Sequence, residues 1–134
     1  MFTYETKLRV RYGETDKMGY VYYGNYPLYY EVGRTELMRY FGFPYKKIEK
    51  MGIMLPVRNL EVKYYKPAIY DDLLTIKTII KEIPKAKITF FYEIYNEKDE
   101  LLNKGETTLV FIDEKSRKPR RAPSELLKQL EIYF

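Results

Sequence analysis

Cysteine, histidine and tryptophan are all missing from this 134-residue chain. Without cysteine there is no disulfide, no thiolate nucleophile, no zinc finger and no iron–sulfur cluster. Without histidine, serine-type triads, imidazole general bases and most transition-metal sites are excluded too. Acid–base chemistry is thereby confined to Asp, Glu, Lys and Tyr. Long apolar runs are also lacking, since none approaches the roughly 18 residues of a spanning helix. The opening Met1-Phe2-Thr3-Tyr4-Glu5 has neither the basic nor the apolar region of a secretory leader. The expectation is a cytoplasmic protein with no integral membrane segment.

What is present is a globular composition, 46% apolar and 32% charged, with 16 Tyr and 7 Phe supplying an aromatic share of 17%. That length suits one domain with one core, taken as residues 1–134. The net charge of +5 suits a phosphate-bearing ligand and is weak ground for nucleic-acid binding. Lys and Glu carry most of the charge and Gln occurs once, a bias resembling that of thermophiles, where ion-pair networks replace labile side chains.

Residues 3–11 alternate, placing Tyr4, Thr6, Leu8 and Val10 on one face of a strand. Gly13, Gly19 and Gly24 then break the pattern, and Asn25 is a candidate N-cap. From Tyr26 the period becomes helical: Tyr26, Tyr29/Tyr30, Gly33, Leu37 and Tyr40/Phe41 share a stripe that ends near Gly42. Gly33 in mid-helix costs about 1 kcal/mol against Ala, which makes sense if the helix backbone must approach another element closely. Glu31 is expected to pair with Arg34 one turn on. A short helix is predicted over 45–51, strands over 55–66, 73–82, 88–96 and 101–113, and a C-terminal helix from Ser124. Asp71-Asp72 reads as a turn, without the further carboxylates of a metal site. Short links between strands imply antiparallel neighbours, and the one long helix must cover the sheet's apolar face. The fold class is therefore α+β, a five-stranded antiparallel sheet curled round one long central helix.

The chemistry concentrates in residues 14–26. Asp16 lies in a glycine-flanked loop shortly before a helix start, whose first amides lack intrahelical partners and carry the positive end of the helix dipole. A carbonyl oxygen placed there is polarised, and an oxyanion forming there is stabilised. One carboxylate and one helix start make a minimal site for attack on an acyl group. A lone Asp in such a loop is also a common turn residue. The clustered Tyr20, Tyr22, Tyr23, Tyr26, Tyr29 and Tyr30 either line an aromatic pocket or pack the helix on the sheet. The run 115–121 either binds phosphate or is a solvated loop.

The segment Glu-Thr-Asp-x-x-Gly-x-Val-Tyr-Tyr-x-Asn-Tyr at 14–26, the helix residues Glu31 and Arg34-Thr35-Glu36, and the later Tyr64, Pro67 and Asp71-Asp72-x-Leu74 resemble the hotdog-fold thioesterases of the 4-hydroxybenzoyl-CoA thioesterase family. The likeness covers most of the chain, and its specificity lies in the first loop. It implies the hotdog fold and hydrolysis of an acyl-CoA thioester to free acid and CoA, without a separate cofactor or metal. Asp16 matches the family's catalytic carboxylate, as general base or as nucleophile. Tyr23 matches the residue whose main-chain N–H holds the thioester carbonyl, with Gly19 turning the loop and Tyr26 beside the substrate. Many Tol–Pal-associated relatives carry His at the Tyr23 position, so a mechanism needing that imidazole is closed to this chain. Lys85 and Lys87 fall where the hydroxybenzoyl branch places basic residues for the nucleotide, and Arg120 and Arg121 are second candidates. The resemblance also implies a homo-oligomer, dimer or tetramer, with sites at the interface. A non-catalytic module of the same fold, binding acyl-CoA or acyl-carrier protein, is the alternative, distinguished by ligand stabilisation without thiol release.

Overall fold

Alternation along the strands builds the sheet. In β5 (Lys87–Tyr95) the even-numbered Ile88, Phe90, Tyr92 and Ile94 are buried and the odd-numbered residues face outward, as a pleated strand with one covered face requires. The computed structural model describes all residues, 1–134. Its sheet also contains β1 (Phe2–Arg9), β3 (Val57–Tyr64), β4 (Leu73–Ile80) and β6 (Leu101–Val110), in the order β1-β4-β5-β6-β3 and antiparallel throughout. A separate ribbon pairs β2 (Ile53–Met54) with β7 (Ile112–Asp113). β7 is the end of the strand expected over 101–113, whereas β2 precedes the one expected over 55–66.

The sheet's apolar face is covered by α1 (Tyr26–Tyr40), which buries Tyr26, Tyr29, Tyr30, Gly33, Arg34, Leu37 and Met38. At 15 residues it is about four turns long, less dominant than the expected single long helix. α2 (Tyr45–Lys50) and α3 (Ser124–Glu131) add Ile48, Leu126 and Leu130 to the same core. None of the helices is long and apolar enough to cross a membrane. Gly33 does meet the sheet closely: a Cβ there would lie 2.5 Å from Thr78 Oγ1 and 2.8 Å from Ile76 Cγ2. Tyr30 and Tyr92 stack with centroids 4.2 Å apart, and Tyr30 Oη donates to Asn103 Oδ1 at 2.6 Å.

Two expectations are corrected. Arg34 is buried and makes no ion pair with Glu31; its Nε donates to the Tyr45 hydroxyl at 2.9 Å. The arrival of α2 offers a nearer partner than the neighbouring helical turn. The second concerns strand order. β3 is followed in sequence by β4, yet it pairs with β6 at the sheet's far edge, three strand spacings or about 14 Å from β4. The link 65–72 runs across the sheet's end instead of turning back on itself. The Tyr65 and Lys66 amides donate to Leu102 O at 2.9 and 3.0 Å, and the link closes on β1 through Asp71 N to Val10 O (3.0 Å) and Val10 N to Asp72 O (2.9 Å).

Candidate active site

The crossing link holds the loop that carries Asp16. Val21 N donates to Ala68 O at 2.9 Å, and Tyr20 bridges to Ile69. Thr15 and Val21 are bridged in turn, with Gly19 at φ +82° making the tight bend between them. That left-handed conformation is one glycine adopts freely. The Asp16 carboxylate organises the bend: its Oδ1 accepts from the amides of Met18 (2.8 Å) and Tyr20 (3.2 Å). Oδ2 takes no hydrogen bond from the chain. Asp16 is thus both a turn residue and a carboxylate with one oxygen to spare.

That carboxylate lines a cleft of about 330 Å³, whose other walls include Tyr20, Tyr23, Tyr26, Tyr64 and Tyr65. Five tyrosine rings beside one carboxylate make a mostly apolar surface with a single negative group. Gly19 shapes the bend and is not part of the wall. Tyr26 is almost wholly buried, its hydroxyl accepting from Ala68 N at 3.3 Å, while Tyr20, Tyr22 and Tyr23 stay exposed. The tyrosine cluster is therefore divided: Tyr26, Tyr29 and Tyr30 pack the helix, Tyr20, Tyr23 and Tyr26 line the cleft, and Tyr22 packs on Tyr23 outside it.

Helical geometry begins earlier than Asn25. A 3-10 turn over Tyr23–Asn25 runs straight into α1, and the Asn25 side chain makes no cap; its Nδ2 donates to Glu14 O at 2.8 Å. Tyr22 O accepts from Asn25 N at 2.9 Å, so the Tyr23 and Gly24 amides open the turn with no partner in the chain. Tyr23 O cannot accept from the residue four places on, because Pro27 has no N–H. Tyr64 Oη donates to it instead, at 3.0 Å. Sequence reading gave Tyr64 and Tyr65 no place at the site; Tyr64 ends β3 and Tyr65 opens the crossing link, and both line the cleft.

Glu14 anchors this arrangement from below. Its Oε1 accepts from Arg11 N and from Tyr29 Oη, each at 2.9 Å, and its Oε2 from Arg11 Nε at 3.1 Å. Burial pushes the carboxyl's pKa up, but hydrogen bonds from the Arg11 amide, the Tyr29 hydroxyl and the Arg11 guanidinium outweigh it and hold the value below 4.5. A carboxyl whose folded pKa lies below its unfolded one stabilises the protein above the unfolded value, and that contribution is lost as pH falls through the folded one. The urea midpoint is therefore expected to drop between pH 6 and pH 3, and to drop less in Glu14→Gln, by equilibrium unfolding at both pH values.

The basic candidates gather elsewhere. Lys85 O accepts from Ala122 N at 2.7 Å, and Arg120 Nε donates to Arg121 O at 3.0 Å, so the link before β5 lies beside the segment holding both arginines. Lys87 opens β5 opposite Val110. This cluster sits at the end of the sheet away from the cleft, separated by the length of a strand, on the order of 25 Å. Within one chain the two groups do not meet. No three Asp or Glu side chains come together as a metal site would need.

The sequence profile of the thioesterase-like superfamily matches residues 10–130. The chain belongs to that superfamily. Among its relatives, YneP of Bacillus subtilis, named as a candidate acyl-CoA thioesterase, is 38% identical over 89% of this chain and 86% of its own. The acyl-CoA thioester hydrolase YbgC of Escherichia coli is 34% identical over 92% of each chain. The crystal structure of DHNA-CoA thioesterase from Staphylococcus aureus superposes with a TM-score of 0.86 at 39% identity, covering 100% of this chain and 85% of that one. The α+β fold of this superfamily member, with its five-stranded antiparallel sheet and helix, is shared with hotdog-fold thioesterases.

Proposed function

We propose that the chain is an acyl-CoA thioesterase, its sheet wrapped round α1 as the central hotdog helix, and that Asp16 and the amide opening the Tyr23 turn perform the hydrolysis. The observation that carries this reading is that Asp16, with one carboxylate oxygen uncommitted, and Tyr23, whose amide has no partner in the chain, line the same cleft. The thioester carbonyl oxygen would rest on the Tyr23 amide. Asp16 either takes a proton from the water that attacks the carbonyl carbon or attacks it directly, giving a mixed anhydride that water then opens. In both routes negative charge gathers on the carbonyl oxygen, where main-chain amides stabilise it. The carbon–sulfur bond then breaks and the CoA thiolate leaves and is protonated. No cofactor or metal enters these steps, and a cytoplasmic location fits a substrate made there. The names of YneP and YbgC support the substrate class. The tyrosine-lined cleft makes an aromatic acyl group the first to try.

The test is thiol release from short, long and aromatic acyl-CoAs. Thermal stabilisation by every acyl-CoA without release from any would replace this reading with a non-catalytic binding module.

We assign Lys85, Lys87, Arg120 and Arg121 to the CoA phosphates, which they would reach in a two-fold dimer. β3 is an edge strand with Val57, Leu60 and Tyr64 exposed, the kind of edge that proteins cover. Two copies pairing β3 to β3 about a two-fold axis run antiparallel. That brings the basic end of the partner's sheet alongside this chain's cleft, in a dimer or a tetramer built from it. Reversing charge at Lys85 and Lys87 is expected to raise KM for acyl-CoA about fivefold, the scale of two exposed ion pairs, and to leave kcat nearly unchanged in steady-state assays. An unchanged KM, or a monomer by light scattering, would remove this assignment.

A further inference from the structure

Two amides in the opening turn lack a partner, and each belongs to a peptide unit whose carbonyl is engaged. The Tyr23 amide shares its peptide with Tyr22 O, which accepts from Asn25 N at 2.9 Å. The Gly24 amide shares its peptide with Tyr23 O, which accepts from Tyr64 Oη at 3.0 Å. Hydrogen bonding at a peptide's carbonyl polarises its N–H, by roughly 10–30% per bond. The first carbonyl is held by the turn itself, and the second also takes a hydroxyl hydrogen bond from another element, Tyr64. Pro27 offers no i→i+4 N–H to compete with that hydroxyl for Tyr23 O.

We propose that Tyr64 is a positioning residue for the thioester carbonyl: through its hydroxyl it fixes and polarises the Tyr23–Gly24 peptide, and so holds the opening turn whose Tyr23 amide faces the substrate. The inference rests on the reading that hydrolysis occurs at this cleft. The Tyr64 ring is set for the task, lining the cleft and packing edge-on to Tyr26 with centroids 5.4 Å apart at 70°. Burial and the neighbouring Tyr23 push its hydroxyl pKa above 10, so it remains a proton donor across the neutral range. Because Tyr64 ends the exposed edge strand β3, the edge is coupled to the geometry of the opening turn.

Tyr64→Phe deletes the hydroxyl and keeps the ring. The expected result is a kcat lower by about five- to tenfold, the scale of one neutral hydrogen bond, with KM within about twofold, as for a contact that matters most in the transition state. Thermal unfolding should match that of the wild type. A second measurement reads the carbonyl itself. The infrared stretch of a ¹³C-labelled thioester, on the acyl-CoA hydrolysed best, is recorded when bound to Asp16→Asn and to Asp16→Asn combined with Tyr64→Phe. The band should move back toward its position in free solution in the double variant. An unchanged kcat in Tyr64→Phe, or a coincident band in the two complexes, overturns the inference while leaving the thioesterase reading in place. A wild-type protein that releases no thiol from any acyl-CoA overturns both.

Discussion

Asp16→Asn is expected to reduce kcat for acyl-CoA hydrolysis at least a hundredfold while leaving the fold and its melting temperature essentially unchanged. The asymmetry of the carboxylate's contacts explains why the two effects separate. Oδ1 holds the bend through the Met18 and Tyr20 amides, and an asparagine Oδ1 accepts from the same two donors. What changes is the other oxygen, which becomes an NH2 group able neither to take a proton from water nor to attack a carbonyl. Loss of a general base costs about 10²–10⁴ in rate, and loss of a nucleophile is comparable or worse. Thiol release and thermal unfolding on the same sample decide the matter. A variant with wild-type turnover would remove Asp16 from the chemistry. Single-turnover hydrolysis in ¹⁸O-water separates the two roles, because only the anhydride route leaves label in the Asp16 carboxylate.

The largest effect on stability is expected at Gly105, where β6 is flanked by both β3 and β5. A Cβ at that position would lie 2.5 Å from Tyr30 Oη and 2.6 Å from the backbone oxygen of Glu61. Neither neighbour can give way cheaply. Tyr30 is fully buried, stacked on Tyr92 and bonded to Asn103, and moving Glu61 O means prising the edge strand from β6. Overpacking costs about 1–3 kcal/mol and occasionally more. Gly105→Ala is therefore expected near the upper end, lowering the melting temperature by about 10 °C, as calorimetry would show. Gly33→Ala meets only side-chain atoms of Thr78 and Ile76 and recovers about 1 kcal/mol of helix propensity, so its cost is the smaller of the two.

Local pattern made much of the scaffold legible. The helical stripe from Tyr26 to Leu37, the tight approach at Gly33 and the alternation of β5 follow from side-chain period and volume alone. The path of the chain was less accessible. A turn at Pro67 to Asp72 is equally compatible with a hairpin and with a crossing link, and only the completed sheet decides between them. The same limit hid the place of Tyr64 and Tyr65 at the cleft, one ending β3 and the other opening that crossing. Arg34 was misread because its partner, Tyr45, comes from another helix, and spacing along one helix gives no sign of it. Of the proposed site residues, Asp16, Tyr23 and Tyr26 meet at one cleft, whereas the four basic residues form a cluster of their own at the sheet's other end.

The crossing link also bears on how the protein reaches its native state. β3 and β6 pair Tyr64 with Asn103, about 40 residues apart in sequence, and contacts that distant form slowly because a large loop must close first. Until that pairing is made, the wall built from Tyr64 and Tyr65 does not stand opposite Asp16. An acyl thioester therefore has no complete wall to rest against until the edge strand has docked on β6.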